Sequence, residues 1–564
     1  MTQQYKKNYI FTTRINRLSK PNLIYHKTNI RVQSKYSNQN NTHNQPKSKS
    51  KMKKLYAMGL LLMLSATTLV AQIRYLQPTF SSFNVTQNVN YGQNLQVLTG
   101  TPVLVPLTMD IYEPAGDAAT ARPLIIMCHT GSFLPAILNG TPTGSRKDST
   151  ESEICRQLAK RGYVVAAISY RLGWNPTSTS QDVRTSTLIN AAYRGVQDVR
   201  TCIRFFKRNF VMSGNTYKID TGKIVVGGIG TGGYLSFAAA SFNKAAELTL
   251  PKLIDNSVNP PVPYVRPAIN GNFFGTDSTA LSRPNHVGYS SNFNMAFNLG
   301  GAMGDSSWLE AGEPPMVGFH TISDPFAPYK IGAVIVPTTG GFVIEAHGTF
   351  TAIRRANYLG NNNSLNARTY SDPFTTRASA VNEGVRNLFP FRTPNPGAPI
   401  TCPGLPGATF SQFPEGSPWD YWDQTATIAA GGANGATINC GALRSNPNMS
   451  KGRALLYIDT VMNYLSPRMF FQLNLNVGTQ EERIDNKIDV YPNPAKDAFV
   501  VNLTFSDATI NGVYLSDIIG RNVVSETQLN TKNYTLNRGS IPAGIYFVRV
   551  ETSKGTAVKK VIFE

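Results

Sequence analysis

Cysteine and histidine are scarce in this chain of 564 residues, which holds five cysteines and six histidines. Such scattered cysteines exclude a disulfide-dense scaffold and a cysteine-based zinc site. One bridge between Cys402 and Cys440, which flank a loop-rich stretch, is compatible with an oxidising compartment, although spacing alone does not establish it. The sequence has no metal-ligand cluster, phosphate loop or complete dinucleotide fingerprint, so we expect neither a metal nor a cofactor.

Acidic residues are absent from the first 51 positions, which hold eleven lysines and arginines. The chain after Gln72 has 41 basic against 33 acidic residues, so most of the net charge of +21 lies ahead of it. The basic tail is poor in apolar residues and lacks the aromatic–basic interleaving of a nucleic-acid-binding module. We therefore expect no nucleic-acid partner. We interpret residues 1–51 as a disordered tail, or as a start-site artefact with translation beginning at Met52.

The apolar run from Leu55 to Val70 is short for a membrane span. Two lysines precede it, and Ala71 could occupy the last position before a cleavage site. This order predicts a secretory signal peptide over residues 52–72. The alternative is an internal membrane anchor behind a basic cytoplasmic tail.

Buried β-branched segments alternate with helical patterns over residues 95–475. Continuous apolar runs such as RPLIIMC predict buried strands, and a long amphipathic helix is predicted over about 183–209. The alternation predicts an α/β fold with a mostly parallel sheet and helices on both faces. Residues 360–450, rich in Asn, Pro, Gly and Thr, are interpreted as an insertion or cap. The last helix, over Arg453–Arg468, is predicted to stop at Pro467.

The final part of the chain has a different rhythm. A polar linker, residues 476–487, is followed over residues 488–564 by short alternating strands with turns every eight to twelve residues. That spacing predicts a small antiparallel all-β sandwich, separate from the α/β domain.

The segment VVGGIGTGGYLSF, residues 225–237, predicts a strand, a glycine turn and a helix. An enzyme that uses such a nucleophile elbow needs glycines on either side of the nucleophile, because side chains there would collide with neighbouring elements. Gly228 and Gly232 supply those glycines. Gly230 occupies the centre, where no Ser, Cys or Asp is present.

Residues 109–475 resemble the α/β-hydrolases of the carboxylesterase and lipase kind. The motif HTGSF resembles the family's His-Gly-Gly oxyanion motif, although Thr130 and Ser132 depart from glycine. The resemblance implies that His129, Thr130 and Gly131, together with Thr231 after the elbow, form an oxyanion-hole-like binding site.

The resemblance also implies a degenerate catalytic triad. Asp324, in HTISDPFAPY, matches the family's acid, and His347, in EAHGTF, follows the next predicted strand where the family has its histidine. Gly230 takes the position of the serine. Asp305 is a fallback acid, and a purely structural role for His347 is an equal alternative.

Two functions remain open from the sequence. Without the nucleophile, the activity of a triad falls by on the order of a millionfold, which favours a non-catalytic homologue that binds an ester, lipid, glycan or peptide. The alternative is an active hydrolase that uses an unorthodox nucleophile, such as the Thr231 hydroxyl, or a water activated by His347 and Asp324. We expect His129 to hold its loop and His320 to pack at the end of its strand.

The segments DVYPNPAKDAFVVNL, DIIGR and IPAGIYFVRVETSKGTAVKKVIFE occur in order up to the end of the chain. They resemble the C-terminal sorting domain of type IX secretion. The resemblance implies that the secretion machinery is a partner and that the protein is secreted or on the cell surface of a Gram-negative cell. The alternative is an immunoglobulin-like spacer or carbohydrate-binding module.

Overall fold

The computed structural model describes residues 73–564 except for residues 99, 337–338, 476–487, 505–507 and 554. The predicted tail, signal peptide and linker therefore lie outside the described residues. Within the described ranges, no helix combines the length and the apolar character needed to cross a membrane.

The α/β domain is built on an eight-stranded sheet with the order β1-β2-β4-β3-β5-β8-β10-β13. The strands from β4 to β13 in this order pair in parallel, whereas β1 and β2 pair antiparallel with their neighbours. The strands of the domain, in chain order, are β1 (Phe83–Val97), β2 (Pro102–Pro114), β3 (Arg122–Cys128), β4 (Val164–Ile168), β5 (Ile219–Ile229), β6 (Ile254–Asp255), β7 (Val262–Pro263), β8 (Met295–Leu299), β9 (Ala302–Met303), β10 (Met316–Thr321), β11 (Ile331–Ile335), β12 (Phe342–Gly348), β13 (Leu388–Phe391), β14 (Ile400–Cys402) and β15 (Leu405–Phe410).

Helices cover both faces of this sheet, as the sequence predicts. Alternate residues of β3 enter different cores: Ile126 packs with the helix over 181–212, and Ile125 packs with the helices over 149–160 and 451–472. The helices, in chain order, are α1 (Ser149–Lys160), α2 (Gln181–Met212), α3 (Thr231–Ser241), α4 (Pro267–Asn270), α5 (Thr349–Tyr358), α6 (Asn363–Asn366), α7 (Pro373–Ser379), α8 (Gln424–Ala430), α9 (Gly435–Arg444) and α10 (Lys451–Gln472). Burial on both faces explains the continuous apolar runs.

Two expectations about elements need correction. The stretch 360–450 is not wholly an insertion, because β13 within it is a strand of the large sheet, parallel to β10. The last helix, α10, continues through Pro467 to Gln472. It buries an apolar stripe that includes Ile458, Leu465 and Met469, and this packing offsets the hydrogen bond that a proline removes.

The rest of the 360–450 stretch contributes a cap beside the sheet. The hairpin of β14 and β15 is followed by α8 and α9. A disulfide joins Cys402 of β14 to Cys440 of α9, while Cys128, Cys155 and Cys202 are buried free thiols.

The C-terminal domain is all-β, as predicted. One sheet has the order β16-β17-β20 and the other the order β19-β18-β21-β22, both antiparallel. Its strands are β16 (Ile488–Tyr491), β17 (Ala498–Leu503), β18 (Ile510–Asp517), β19 (Asn522–Thr531), β20 (Asn533–Asn537), β21 (Gly544–Thr552) and β22 (Gly555–Phe563). Alternate residues such as Phe499, Val548 and Val561 point into one apolar core, which gives the two sheets their sandwich arrangement.

Candidate functional site

A sharp turn joins β5 directly to α3, and Gly230 lies at its apex. The Gly230 backbone has φ 52° and ψ −118°, a combination that residues with a Cβ adopt only under strain. Its N–H donates to the Leu299 carbonyl at 2.9 Å. This strand–turn–helix geometry is the one in which a nucleophile elbow presents its catalytic side chain.

The flanking glycines are required by close packing. A Cβ on Gly232 would lie 1.9 Å from the Cys128 carbonyl oxygen, and a Cβ on Gly228 would lie 2.0 Å from the Gly232 carbonyl oxygen. Both distances are well inside van der Waals contact, so the turn keeps the tight backbone packing of an elbow.

Thr130 fills the space beside the apex. A Cβ built on Gly230 would lie 2.3 Å from Thr130 Oγ1 and 3.1 Å from Thr130 Cβ. A side chain at position 230 would therefore displace Thr130. The Thr130 hydroxyl takes the place where a side chain on the apex would begin.

The loop after β3 is held in a strained conformation next to the turn. Gly131, Ser132 and Phe133 have φ angles of 121°, 53° and 54°, and the two residues with side chains are strained at these angles. Trp174 Nε1 donates to the Ser132 carbonyl at 2.6 Å, and the Gly173 N–H donates to the Phe133 carbonyl at 2.8 Å. These bonds fix the loop beside Gly230.

Tyr170 ties this loop to α3. Its hydroxyl donates to the His129 carbonyl at 2.8 Å and lies 3.2 Å from Thr231 Oγ1. The Thr231 hydroxyl is therefore engaged with Tyr170. His129 stacks on the Tyr170 ring with centroids 4.4 Å apart, and its Nδ1 donates to the Thr130 carbonyl at 2.5 Å. Burial lowers the pKa of His129 to about 4, so the ring is neutral at pH 7 and holds the loop.

Asp324 follows the end of β10, in the position predicted for the acid. Its side chain is 4% exposed, and Oδ1 accepts from the N–H groups of Phe326 and Ala327 at 2.8 and 3.1 Å. Oδ2 lies 3.7 Å from Nε2 of the fully buried His320. Burial raises the pKa of Asp324, which His320 partly opposes. Burial likewise lowers the pKa of His320.

His347 pairs with Asp305, the fallback acid, and the structure does not bring it to Asp324. His347 Nε2 lies 3.5 Å from Asp305 Oδ2, and Nδ1 accepts the Ser306 N–H at 3.0 Å and lies 2.8 Å from Ser306 Oγ. Lys252 Nζ contacts the same Asp305 oxygen at 2.6 Å. Both ring nitrogens of His347 are thus occupied. Partial burial lowers its pKa, with Asp305 opposing.

The topology explains why His347 lies away from Asp324. Its strand β12 belongs to a separate three-stranded sheet with β9 and β11. In the large sheet β10 lies between β8 and β13, and the sequence contains no histidine after His347. No histidine therefore follows β13 in the chain.

A pocket of about 960 Å³ opens at the turn. Its lining includes Thr130, Gly131, Gly230, Thr231 and Asp324, which the sequence predicted as site residues. A volume of this size suits a small organic ligand. The pocket lies at the carboxyl ends of the parallel strands, where α/β proteins usually bind their ligands.

Asp420 is a pocket residue that the sequence prediction missed. It lies in the motif SPWDYW after β13, in the stretch interpreted as a cap. Burial raises its pKa to about 7, with further increases from Asp148 and Asp324 and an opposing hydrogen bond from the Thr150 hydroxyl. An acidic residue among aromatic residues in an apolar setting was the available signal.

The fold and the site define an α/β-hydrolase-type domain followed by a small β-sandwich. Residues 109–265 match the BD-FAE family, and residues 489–564 match the secretion system C-terminal sorting domain. The chain therefore has an esterase-like α/β-hydrolase domain and a type IX sorting domain. The sorting domain implies interaction with the type IX secretion system and a secreted or cell-surface location, as the sequence predicted.

No curated protein matches the chain. Among solved structures, it resembles Thermogutta terrifontis esterase 2 phosphorylated by paraoxon, with 20% identity over 42% of this chain and 74% of that chain and a TM-score of 0.25. It also resembles a truncated carbohydrate esterase from gut microbiota, with 19% identity over 45% of this chain and 81% of that chain and a TM-score of 0.28.

Proposed function

We propose that this protein is an exported α/β-hydrolase homologue that binds a small ester, lipid, glycan or peptide and lacks the covalent chemistry of its fold. One observation carries the proposal: Gly230 stands at the apex of the turn, and Thr130 occupies the space where a nucleophilic side chain would begin. Glycine has no atom with which to attack a carbonyl, and a covalent mechanism cannot replace its nucleophile.

The missing base supports the same conclusion. A serine mechanism needs a histidine that accepts the proton of the nucleophile and an acid that orients that histidine. The histidine beside Asp324, His320, is buried and contacts Thr349 and Ala327 through its two nitrogens. His347 is engaged by Asp305 and Ser306. The large pocket beside Gly230 remains, which favours binding without turnover.

Export completes the proposal. The signal peptide proposed over residues 52–72 would carry the chain across the inner membrane, and the sorting domain directs passage across the outer membrane. A ligand at the cell surface or in the medium would then meet the pocket directly.

A second candidate function has its own observation. Ser306, His347 and Asp305 form a serine–histidine–aspartate chain, with 2.8 Å between Ser306 Oγ and His347 Nδ1 and 3.5 Å between His347 Nε2 and Asp305 Oδ2. In such a hydrolase, Ser306 Oγ would attack the ester carbonyl, and its proton would pass to His347 and then to the leaving alcohol.

Three features disfavour this second candidate. The backbone N–H of Ser306 competes for the same His347 nitrogen. Lys252 neutralises Asp305 and so weakens the stabilisation of a protonated His347. The residues that line the pocket include neither Ser306 nor His347.

A turnover assay separates the candidates. Full-length protein and the variants Ser306→Ala, Thr231→Ala and Asp324→Asn are incubated with p-nitrophenyl acetate and butyrate. We expect all four to match the background rate. Turnover by the wild type that Ser306→Ala abolishes would establish the second candidate, and turnover that Thr231→Ala or Asp324→Asn abolishes would establish a threonine nucleophile or an activated water.

A further inference from the structure

Two acidic side chains set the charge of the pocket at the turn. Its charged lining residues are Asp324, Asp420 and Arg444. The Arg444 guanidinium lies 4.2 Å from the centre of the Phe413 ring, and its Nε donates to the Ser411 carbonyl at 2.8 Å. Arg444 is thus held by its own loop region, and neither acid has it as an ion-pair partner.

Asp324 and Asp420 both line the pocket. The segment leading to Asp420 packs directly on Asp324, because a Cβ on Gly416 would lie 2.9 Å from Asp324 Oδ1. The charge on Asp324 adds to the burial that raises the pKa of Asp420. In a serine–histidine–aspartate site the acid faces a histidine that becomes positive. Here the second acidic residue of the pocket lining is Asp420.

A third acidic side chain, outside the pocket lining, interacts with Asp420. Glu151 of α1 is 1% exposed, and neither of its carboxylate oxygens has a hydrogen-bond partner. The charged groups that act on it are Asp148 and Asp420. Within the described residues, no lysine or arginine forms an ion pair with Glu151, Asp148, Asp324 or Asp420. Burial raises the pKa of Glu151 well above its usual range, so its carboxyl is neutral, and the acids that can carry charge in the pocket lining are Asp324 and Asp420.

We propose that the pocket binds an organic cation, an alkyl- or aryl-ammonium compound whose charged head lies against Asp324 and Asp420. Its apolar body would pack on aromatic wall residues such as Tyr234, Phe326 and Trp422, whose ring faces attract ammonium groups. The inference rests on the proposed function, because a site that cleaved its ligand would not retain it.

The size and geometry of the site favour an organic cation over a metal ion. In the described part of the chain, no three His, Cys, Asp or Glu side chains lie close enough together to hold a metal ion. The pocket of about 960 Å³ has room for a ligand of many heavy atoms. Its walls are largely apolar and aromatic, so a ligand with one charged end and an apolar body matches both features.

Binding of a cation must depend on pH. The groups facing the two acids are Asp148 and Glu151, His320 and the Tyr234 hydroxyl. Burial lowers the pKa of His320, so it is neutral above pH 7, and the pKa of Tyr234 is raised, so it remains neutral as well. Asp420 has a pKa of about 7 in the empty pocket. Affinity for a cation should therefore rise by about tenfold between pH 5.5 and pH 8 as Asp420 ionises.

Three phenylalkyl probes of similar length and different charge test the inference: 4-phenylbutyltrimethylammonium, 4-phenylbutan-1-ol and 4-phenylbutanoate. Their binding to the full-length protein is measured by isothermal titration calorimetry at pH 5.5 and pH 8. The variants are Asp420→Asn and Asp324→Asn, and the control is Asp459→Asn, an exposed carboxylate in a different cleft. Circular dichroism confirms that each variant is folded.

We expect the ammonium probe to bind at least tenfold more tightly than the alcohol at pH 8, and the butanoate to bind most weakly. Asp420→Asn and Asp324→Asn should each reduce ammonium affinity about tenfold and leave alcohol affinity unchanged, while Asp459→Asn changes neither. Equal binding of ammonium and alcohol by the wild type would overturn the inference and leave the proposed binding function standing. No binding of the ammonium probe at millimolar concentration would also overturn it. The proposed function fails separately, through turnover in the ester assay.

Discussion

At the scale of single residues, positions 230 and 130 are sterically coupled, because a side chain at position 230 would overlap the side chain of Thr130. The turn allows a side chain at its apex only under backbone strain, and the Thr130 hydroxyl already fills the adjacent space. Replacing Gly230 with serine should therefore be destabilising for two reasons: strain in the backbone at position 230 and overlap with Thr130. Removing the Thr130 side chain relieves only the second.

The pairing predicts non-additive stability. Gly230→Ser should lower the free energy of unfolding by about 2–4 kcal/mol, through strain and overlap with Thr130. Combining it with Thr130→Gly should recover about 1–2 kcal/mol relative to the sum of the two single changes. Urea unfolding of the three variants measures this coupling.

Gly432→Ser is a matched control for the backbone cost, because Gly432 has φ 54° and a Cβ at that position would meet no atom within 4 Å. It should cost only about 1 kcal/mol. Strict additivity of Gly230→Ser and Thr130→Gly would show that Thr130 does not obstruct the apex.

The raised pKa of Asp420 predicts that the free energy of unfolding depends on pH. Its pKa is about 7 in the folded protein and near 3.9 when unfolded, so the folded state holds a proton that the unfolded state releases between these values. Asp420 therefore lowers stability as pH rises from about 4 to 7, and this cost is largest above pH 7.

Asp420→Asn should remove that cost. Its free energy of unfolding relative to wild type should increase by about 2–4 kcal/mol between pH 4.5 and pH 8. Denaturant unfolding at several pH values measures the difference, with Asp459→Asn as a control that stays flat. A difference that does not change with pH would contradict the pKa of about 7.

At the scale of elements, strands that are buried on both faces could be predicted from the sequence. The prediction missed a short strand at the edge of the sheet. The run RPLIIMC is fully buried in β3, so its composition alone predicted a strand. β13, with the sequence LFPF, contains Pro390 and was missed. A proline fits there because β13 pairs in the sheet only with β10, at the edge.

Strand pairing that the sequence does not reveal also explains why His347 does not pair with Asp324 as predicted. The sequence analysis took the segment of β12 as the next strand after β10. In the structure β13 pairs with β10, and β12 belongs to another sheet. Non-local pairing is not encoded in local periodicity. The glycine turn and the position of Asp324 were predictable, because each depends on a local motif at the end of a strand. The pairing of His347 with Asp305 and Ser306 depends on tertiary contacts.

The cap supplies a prediction at this scale. α9 lines the pocket through Thr437, Ile438 and Gly441, and the disulfide from Cys440 ties it to β14. Replacing Cys402 and Cys440 with serine should lower the stability of the domain by about 2–4 kcal/mol. Hydrogen exchange should speed up over residues 400–445 while β3 and β5 remain protected. Cys202→Ala controls for loss of a cysteine, and unchanged exchange in the cap would show that the bridge does not hold it.

At the scale of the whole molecule, the α/β-hydrolase domain contains the pocket and the sorting domain directs export. Their cores are separate, because the core of residues 488–563 contains only its own strands and turns. Sorting information should therefore be removable without loss of the pocket.

Deleting residues 488–564 should stop passage across the outer membrane. In a Gram-negative host with a type IX system, the full chain should reach the surface or medium and the truncated chain should stay in the periplasm. Cell fractionation with immunoblotting measures the distribution, and Asp459→Asn, at an exposed residue of the full chain, is the control. Surface delivery of the truncated protein would contradict the assignment of the tail.

The central claim is that the turn keeps the form of a nucleophile elbow without covalent reactivity. The most direct test is the intact mass of the folded, full-length protein after incubation with an excess of a fluorophosphonate, which labels activated serines and threonines. The account predicts an unchanged mass. A stoichiometric adduct mapped by peptide sequencing to Thr130, Thr231 or Ser306 would contradict it and identify the nucleophile.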